Sequence, residues 1–325
     1  MSGDPFTFVV LTLDRVALAL VCGATIAWLW LRPGAGDPAD TDRTTLRILG
    51  IAVVALALSS VATLWLRSAA MAEVGLADAW SFVPKVITRS QFGQLWILRV
   101  VGWALLATAW VSMRWRKAAG PWAAVGGAIL VVFSLSASGH AGDDGVWTVG
   151  AWVNALHVAG GCAWGGTVAV YVAAVLPALI AGVRRPAIGQ TATRLSTIAG
   201  AALAVVLATG VYNASQHLDT LQAFWNTVYG RVLLVKLTFV AVMMAIGAAN
   251  RFFIVPAIVS WANTPERTDV DTIGAGHPAR RFLRVLRVDG LVFLIVLACA
   301  VVLAGQTPAS HEDHHHAAES TAMGA

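Results

Sequence analysis

Charge is scarce in this chain. Of 325 residues only 12% are Asp, Glu, Lys or Arg, 58% are hydrophobic, and the mean hydropathy is +0.73. That balance excludes a water-soluble domain of this length and defines an integral membrane protein. Cysteine is also sparse: Cys22, Cys162 and Cys299 fall in three separate apolar runs and form no CxxC pair. This argues against a disulfide framework or a CxxC metal or redox motif, and leaves the thiols as small packing residues. The opening MSGDPFTF lacks the basic region of a cleaved signal peptide, so the first apolar run reads as a retained helix. There is no GxxxxGK[ST] phosphate loop and no soluble stretch large enough for ATP chemistry, so any transport runs downhill or on a gradient. No feature marks an enzyme. Ten-residue alternating segments, which a β-barrel requires, are missing, as is any repeat of fixed period.

What is present is a set of continuous runs rich in Leu, Val and Ala. A helix needs about 20 apolar residues to span the hydrocarbon core. Eight runs meet this, near residues 8–31, 47–66, 92–112, 122–139, 148–176, 196–216, 231–254 and 286–305. The expected fold is an all-α integral membrane protein, a bundle of about eight transmembrane helices, over residues 1–307. The segment 308–325 is a His-rich disordered tail. Between Ser68 and Gln91 a moderately apolar stretch with Pro84 inside it suggests a short interfacial helix. The stretch SWANTPERTDVDTIGAGHPARRF has the Pro, Gly and charge density of a connector.

The basic residues give the expected orientation. With loops assigned alternately, one side holds Arg32, Arg43, Arg47, Arg114, Arg116, Lys117, Arg184, Arg185, Arg194, Arg251, Arg267, Arg280, Arg281, Arg284 and Arg287, and the other only Arg67, Lys85, Arg89 and Arg231. Fifteen against four is a strong positive-inside bias, which places both termini outside. The isoelectric point near 9.6 thus reports topology and not a nucleic-acid surface. On this arrangement His140, His157, His217 and the tail histidines His311, His314, His315 and His316 lie at or near the outer face, with His277 alone inside.

Ionisable groups within a bilayer cost several kcal/mol and mark functional sites by default. Here they are Asp14, Arg15, Arg99, His157, Lys236 and Asp289. Counted at 1.5 Å per residue from the outer helix ends, Asp14, Arg99, His157 and Lys236 share one depth and are expected to form an intramembrane polar network. The alternative is an ion-pair network that only fixes packing. Asp289 sits near the inner end of its helix, close to Arg251 or Arg287, as a structural acid. Around His157 the sequence reads LHVAGGCAWGG. Gly160, Gly161 and Trp164 share its helical face, a smooth surface for close approach of another helix, whereas Cys162 is rotated by about 140° and cannot join His157 on one metal. Partners for His157 must come from other helices, and depth nominates His140 and His217. Imidazole suits copper, zinc, iron and nickel. The HEDHHH run is a second, exposed metal-collecting tract, or a solvated one. Met243 and Met244 offer thioethers for Cu(I), or core packing.

SGHA, LHVAGGCAWGG, TGVYNASQHL, YGRVLLVKL, GAANR and FGQLWILR together resemble the CopD family of bacterial inner-membrane copper proteins, over about residues 88–308. The resemblance implies a multi-pass protein of the bacterial plasma (inner) membrane, engaged in copper uptake or resistance and served by a periplasmic copper-binding protein of the CopC type. It implies His140, His157 and His217 as copper-contacting positions, and Arg99, Tyr229, Arg231, Lys236 and Asn250 as polar landmarks. Asp289 departs from it, standing where relatives often carry Glu. Two functions follow. In the first, a copper permease loads metal onto those histidines; in the second, a b-type cytochrome holds haem between two of them, with Arg99 or Lys236 on the propionates. An assembly or scaffold role has no positive mark in the sequence.

Overall fold

The computed structural model describes residues 4–32, 39–139, 142, 145–217, 222–264 and 278–306. Among them there is no strand. Eight helices are long and apolar enough to cross a membrane: α1 (Pro5–Trp30), α2 (Thr41–Ala72), α3 (Gln91–Arg114), α4 (Ala119–Ala137), α5 (Val149–Ala181), α6 (Arg185–Gln216), α7 (Val228–Asn263) and α8 (Pro278–Ala304). In lipid every backbone N–H and C=O must find its partner within the segment, and a continuous helix does this. Eight spans among the described residues put the start of α1 and the end of α8 at one face of the bundle, here called the termini face; the other is the basic face.

The helix ends are written into the sequence. Each odd-numbered helix starts at the termini face behind a side-chain cap. Asp4 accepts from the Phe6 and Thr7 amides ahead of Pro5, Ser90 from Gly93, Thr148 from Ala151 and Thr227 from Gly230. Glu73, Arg116 and Val183 close α2, α3 and α5 in the left-handed region, with φ of 54°, 54° and 51°. At each, the next amide reaches back five residues, Val74 to Ala69, Lys117 to Ser112 and Arg184 to Leu179. The expected interfacial helix is present as a 3₁₀ turn, Ala79–Ser81, and a helix, Val83–Arg89, with Pro84 in its first turn.

Two of the spans that outrun the hydropathy continue through a proline at their C-terminal end. α5 passes through Pro177 to Ala181, and α7 passes through Pro256 to Asn263, four residues into the expected connector. Proline in a helix interior lacks an N–H and clashes with the carbonyl four residues back. In both helices a wider π turn lies just upstream, Tyr171–Val175 before Pro177 and Asn250–Ile254 before Pro256. The extra residue in the turn moves the offending carbonyl away. A third π turn, Cys162–Gly166, follows His157.

α1 and α5 are the most enclosed spans, while α6 and α7 are the least. Leu18, Val21, Ala24, Val170, Tyr171 and Leu176 are fully buried along the central pair. α1 and α5 touch through backbone: a methyl group on Gly23 would overlap the Gly166 carbonyl, and one on Gly166 would overlap the carbonyl of Ala19. Small residues let helices approach this closely and gain dispersion contacts where no hydrophobic force operates. At the termini face Trp147 and Trp152 pack on Phe133, with ring centroids 5.2 and 4.6 Å away, an aromatic cluster at the depth of the headgroups.

Candidate functional site

Asp14 lies nine residues into α1, and Arg99, His157 and Lys236 each eight residues into α3, α5 and α7, so all stand roughly 12–14 Å in from the termini face. This is the single layer that the depth count anticipates, but it holds two clusters.

The first joins α1, α2 and α3. The Arg99 guanidinium donates through Nη2 to both oxygens of Asp14, at 2.7 and 2.6 Å. Arg15 Nη1 donates to Asp14 Oδ2 at 3.0 Å, and Ser59 Oγ to Oδ1 at 2.9 Å. Asp14 and Arg99 are 1% and 4% exposed. A carboxylate this deep is tolerable because its lone pairs are all used. Two guanidiniums face one carboxylate, so the cluster carries a surplus positive charge, and Arg99 Nε is buried without a partner. Arg15, Arg67 and Arg99 line a cavity of about 490 Å³ among the termini-face ends of the helices.

The second cluster joins α4, α5, α6 and α7. His157 is half-buried, with Nδ1 3.1 Å from Thr209 Oγ1. The Thr209 hydroxyl already donates to the Val205 carbonyl at 2.6 Å. With the Thr209 proton turned to Val205, the hydroxyl oxygen is placed to accept from Nδ1, an arrangement that favours the Nδ1–H tautomer with the lone pair on Nε2. One turn earlier, Asn154 donates to Ser136 Oγ on α4 at 2.9 Å and accepts from Asn213 on α6 at 3.2 Å. Gly160 meets α6 as the sequence indicates, a Cβ there standing 3.0 Å from Val206 and 3.3 Å from the Ala202 carbonyl, while Gly161 has open space beside it. Lys236 is within electrostatic reach of His157 and Cys299, and makes no hydrogen bond or ion pair among the described residues. It stands apart from the Asp14–Arg99 pair.

His157 is the one histidine ligand candidate whose side chain falls within the described residues. His140 and His311, His314, His315 and His316 lie outside them, and His217 ends the helix containing α6 with its side chain outside them. His217 follows Thr209 by eight residues, about 12 Å further towards the termini face. No group of three or more His, Cys, Asp or Glu side chains is placed to hold a metal among the described residues. The slot beside Gly160 that a haem would need is filled by Val205 and Val206 of α6.

Three features were not read from the sequence. Thr209, Asn154 and Asn213 were missed, although Asn154 precedes His157 by three residues and Asn213 follows Thr209 by four, the spacing of a shared helical face. Asp289 makes no ion pair with Arg251 or Arg287 among the described residues; Arg251 donates instead to the Ser196 carbonyl at 3.1 Å. Asp289 Oδ1 and Asn250 Oδ1 are buried without partners among the described residues, and both residues line a largely apolar cavity of about 310 Å³ near the basic face, together with Trp164 and Met244. Met243, by contrast, is a core residue, 2% exposed. Finally, α1 and α5 meet backbone to backbone at Gly23 and Gly166, with the free thiols of Cys22 and Cys162 on the two helices.

An eight-span helical bundle with a polar layer of histidine, carboxylate and guanidinium within it defines a multi-pass membrane protein in contact with the lipid bilayer. Comparison with known families narrows this class. Residues 189–303 match copper resistance protein D, residues 2–151 match the copper resistance protein D-like N-terminal domain, and the chain belongs to this family. It is 26% identical over 246 residues to the copper transport protein CutJ of Bacillus subtilis (strain 168), which spans 72% of this chain and 44% of CutJ. The chain therefore covers less than half the length of that relative. No solved structure matches it.

Proposed function

We propose that this chain carries copper across the bacterial plasma (inner) membrane and that His157 binds the ion in transit through Nε2. One observation supports the reading: His157 Nδ1 lies 3.1 Å from Thr209 Oγ1, whose hydroxyl bonds the Val205 carbonyl, an arrangement that favours the proton on Nδ1 and leaves Nε2 free for the ion. Metal-binding histidines are held by their second nitrogen in this way, and the orienting partner raises ligand basicity. The family and the copper transport relative supply the cargo.

With the fifteen basic residues in the cytoplasm, both termini face outwards. Copper then arrives at the termini face from a separate periplasmic protein of the CopC type or from the tail histidines. His140 and His217, both at that end, are the candidate partner ligands. The protein acts as a carrier and not as an enzyme. Copper flux into proteoliposomes tests this, with the wild type beside His140→Ala, His157→Ala and His217→Ala. Flux is expected to be lost in at least the His157 variant; equal flux in all four proteins would remove these histidines from the path.

A further inference from the structure

We propose that the cavity near the basic face is a second copper station, where Asp289, Met244 and Trp164 hold a monovalent ion on its way inward from His157; this rests on the copper-transport reading above. The placement of the three side chains carries it. Trp164 stands fifteen residues into α5, Met244 sixteen into α7 and Asp289 fifteen from the end of α8, so all three lie roughly 22–24 Å in from the termini face. They line the same cavity of about 310 Å³, between α5, α6, α7 and α8. His157 precedes Trp164 by seven residues on the same helix, about 10.5 Å nearer the termini face, so the cavity is the next step inward. Asn250, six residues beyond Met244, lines its basic-face end, where a π turn begins.

What the cavity lacks is a partner for its acid. Asp289 is 3% exposed and makes no hydrogen bond or ion pair among the described residues, and the buried Oδ1 of Asn250 is equally without one. An acid this deep in a membrane is costly, and such groups mark ion pathways. Arg251 is the other charged residue lining the cavity, but its exposed guanidinium donates to the Ser196 carbonyl at 3.1 Å, so the carboxylate is not spent on it. Unpartnered acceptors facing an apolar space call for a cation. A monovalent ion on Asp289 gives a neutral pair, which low-dielectric surroundings tolerate; a divalent ion would leave a net positive charge there. Oxygen donors alone would suit hard ions such as Mg²⁺. The thioether of Met244 is a soft donor that selects Cu(I), and the face of an indole such as Trp164 attracts cations. One thioether among weaker donors holds Cu(I) less tightly than a full set of soft ligands would, which lets the ion leave. Asn250 then offers the next oxygen towards the basic face.

The test is an anaerobic titration with Cu(I) of the full chain in detergent, labelled with carbon-13 at the methionine methyl groups and followed by NMR, with Met244→Leu to assign the Met244 signal. In the wild type the Met244 methyl should shift, while that of Met243, a core residue, stays in place. Asp289→Asn should raise the free Cu(I) needed for that shift by more than about tenfold, because it removes a full charge where the effective dielectric is about 20, whereas Asp289→Glu should keep the wild-type response. An unchanged Met243 signal shows that each variant is folded. A Met244 signal that Cu(I) leaves unmoved in the wild type, or that shifts equally in the wild type and Asp289→Asn, overturns the station. Proteoliposome flux by the same wild-type preparation separates the two proposals. Flux with Met244 unmoved leaves the transport reading standing and the station refuted; the shift without flux does the reverse.

Discussion

Removing the Asp14 carboxylate should be the most damaging single polar change in the protein. Asp14→Asn keeps the volume but takes the charge from between Arg99, which donates to it twice, and Arg15. Breaking one side of a buried ion pair costs about 3–5 kcal/mol, because the remaining charge is left without compensation. Arg99 at 4% exposure meets that condition. The Arg15 contact adds less, since its side chain is 22% exposed and borders the cavity it lines with Arg67 and Arg99. The expected loss is therefore about 4 kcal/mol, a factor on the order of 10³ in the folded-to-unfolded ratio. Reversible unfolding in mixed micelles reads it directly. The double variant Asp14→Leu with Arg99→Met should recover most of the loss, because an apolar pair of similar size is often as stable as the buried ion pair it replaces. If Asp14→Asn stays within 1 kcal/mol of wild type, or the double variant is as unstable as the single variants combined, the buried pair does not hold α1 to α3.

Thr209→Val should weaken copper binding at His157 by about 10–100-fold while leaving the imidazole in place, because it removes the group that fixes the tautomer; chelator competition measures it. Gly166→Ala should cost about 1–3 kcal/mol by forcing α1 and α5 apart, whereas Gly161→Ala, with nothing within 4 Å, should be near neutral in the same unfolding assay. Asp4, before the first span, accepts from the Thr7 amide and hydroxyl and from the Phe6 amide, which holds its carboxyl below the usual value of 3.8. Its capping contribution is thus complete above about pH 4 and lost as pH falls through the lowered value; exchange protection of the Phe6 and Thr7 amides should fall in that range and not at higher pH. Purified protein should show no Soret band, and a haem spectrum would restore the cytochrome.

Hydropathy located all eight spans because lipid leaves few alternatives to a continuous apolar helix. It stopped short near residues 176 and 254 because Pro177 and Pro256 look like breakers; the π turns that accommodate them depend on the whole helix and leave no local mark. Depth counting put Asp14 level with both Arg99 and Lys236, since all three are short of the termini face by about the same number of turns, and left open which one it meets. It could not show that Arg15, which leaves the helix about 100° away from Asp14, bends back to share the carboxylate. Thr209 was illegible for another reason: a threonine in an apolar helix commonly bonds its own backbone, as this one does, and only the fold puts His157 across from it. The contact of Gly23 with Gly166 was illegible too, because nothing in the spacing of these glycines announces that α1 and α5 meet there.

The claim that His157 presents Nε2 to copper is tested most directly by nitrogen-15 NMR of the full chain labelled at histidine, with His157→Gln to assign the signals. On addition of Cu(I), the Nε2 resonance of His157 should shift while its Nδ1 keeps the proton given to Thr209. A spectrum in which His157 is unmoved, or in which Nδ1 is the nitrogen that shifts, would contradict the account.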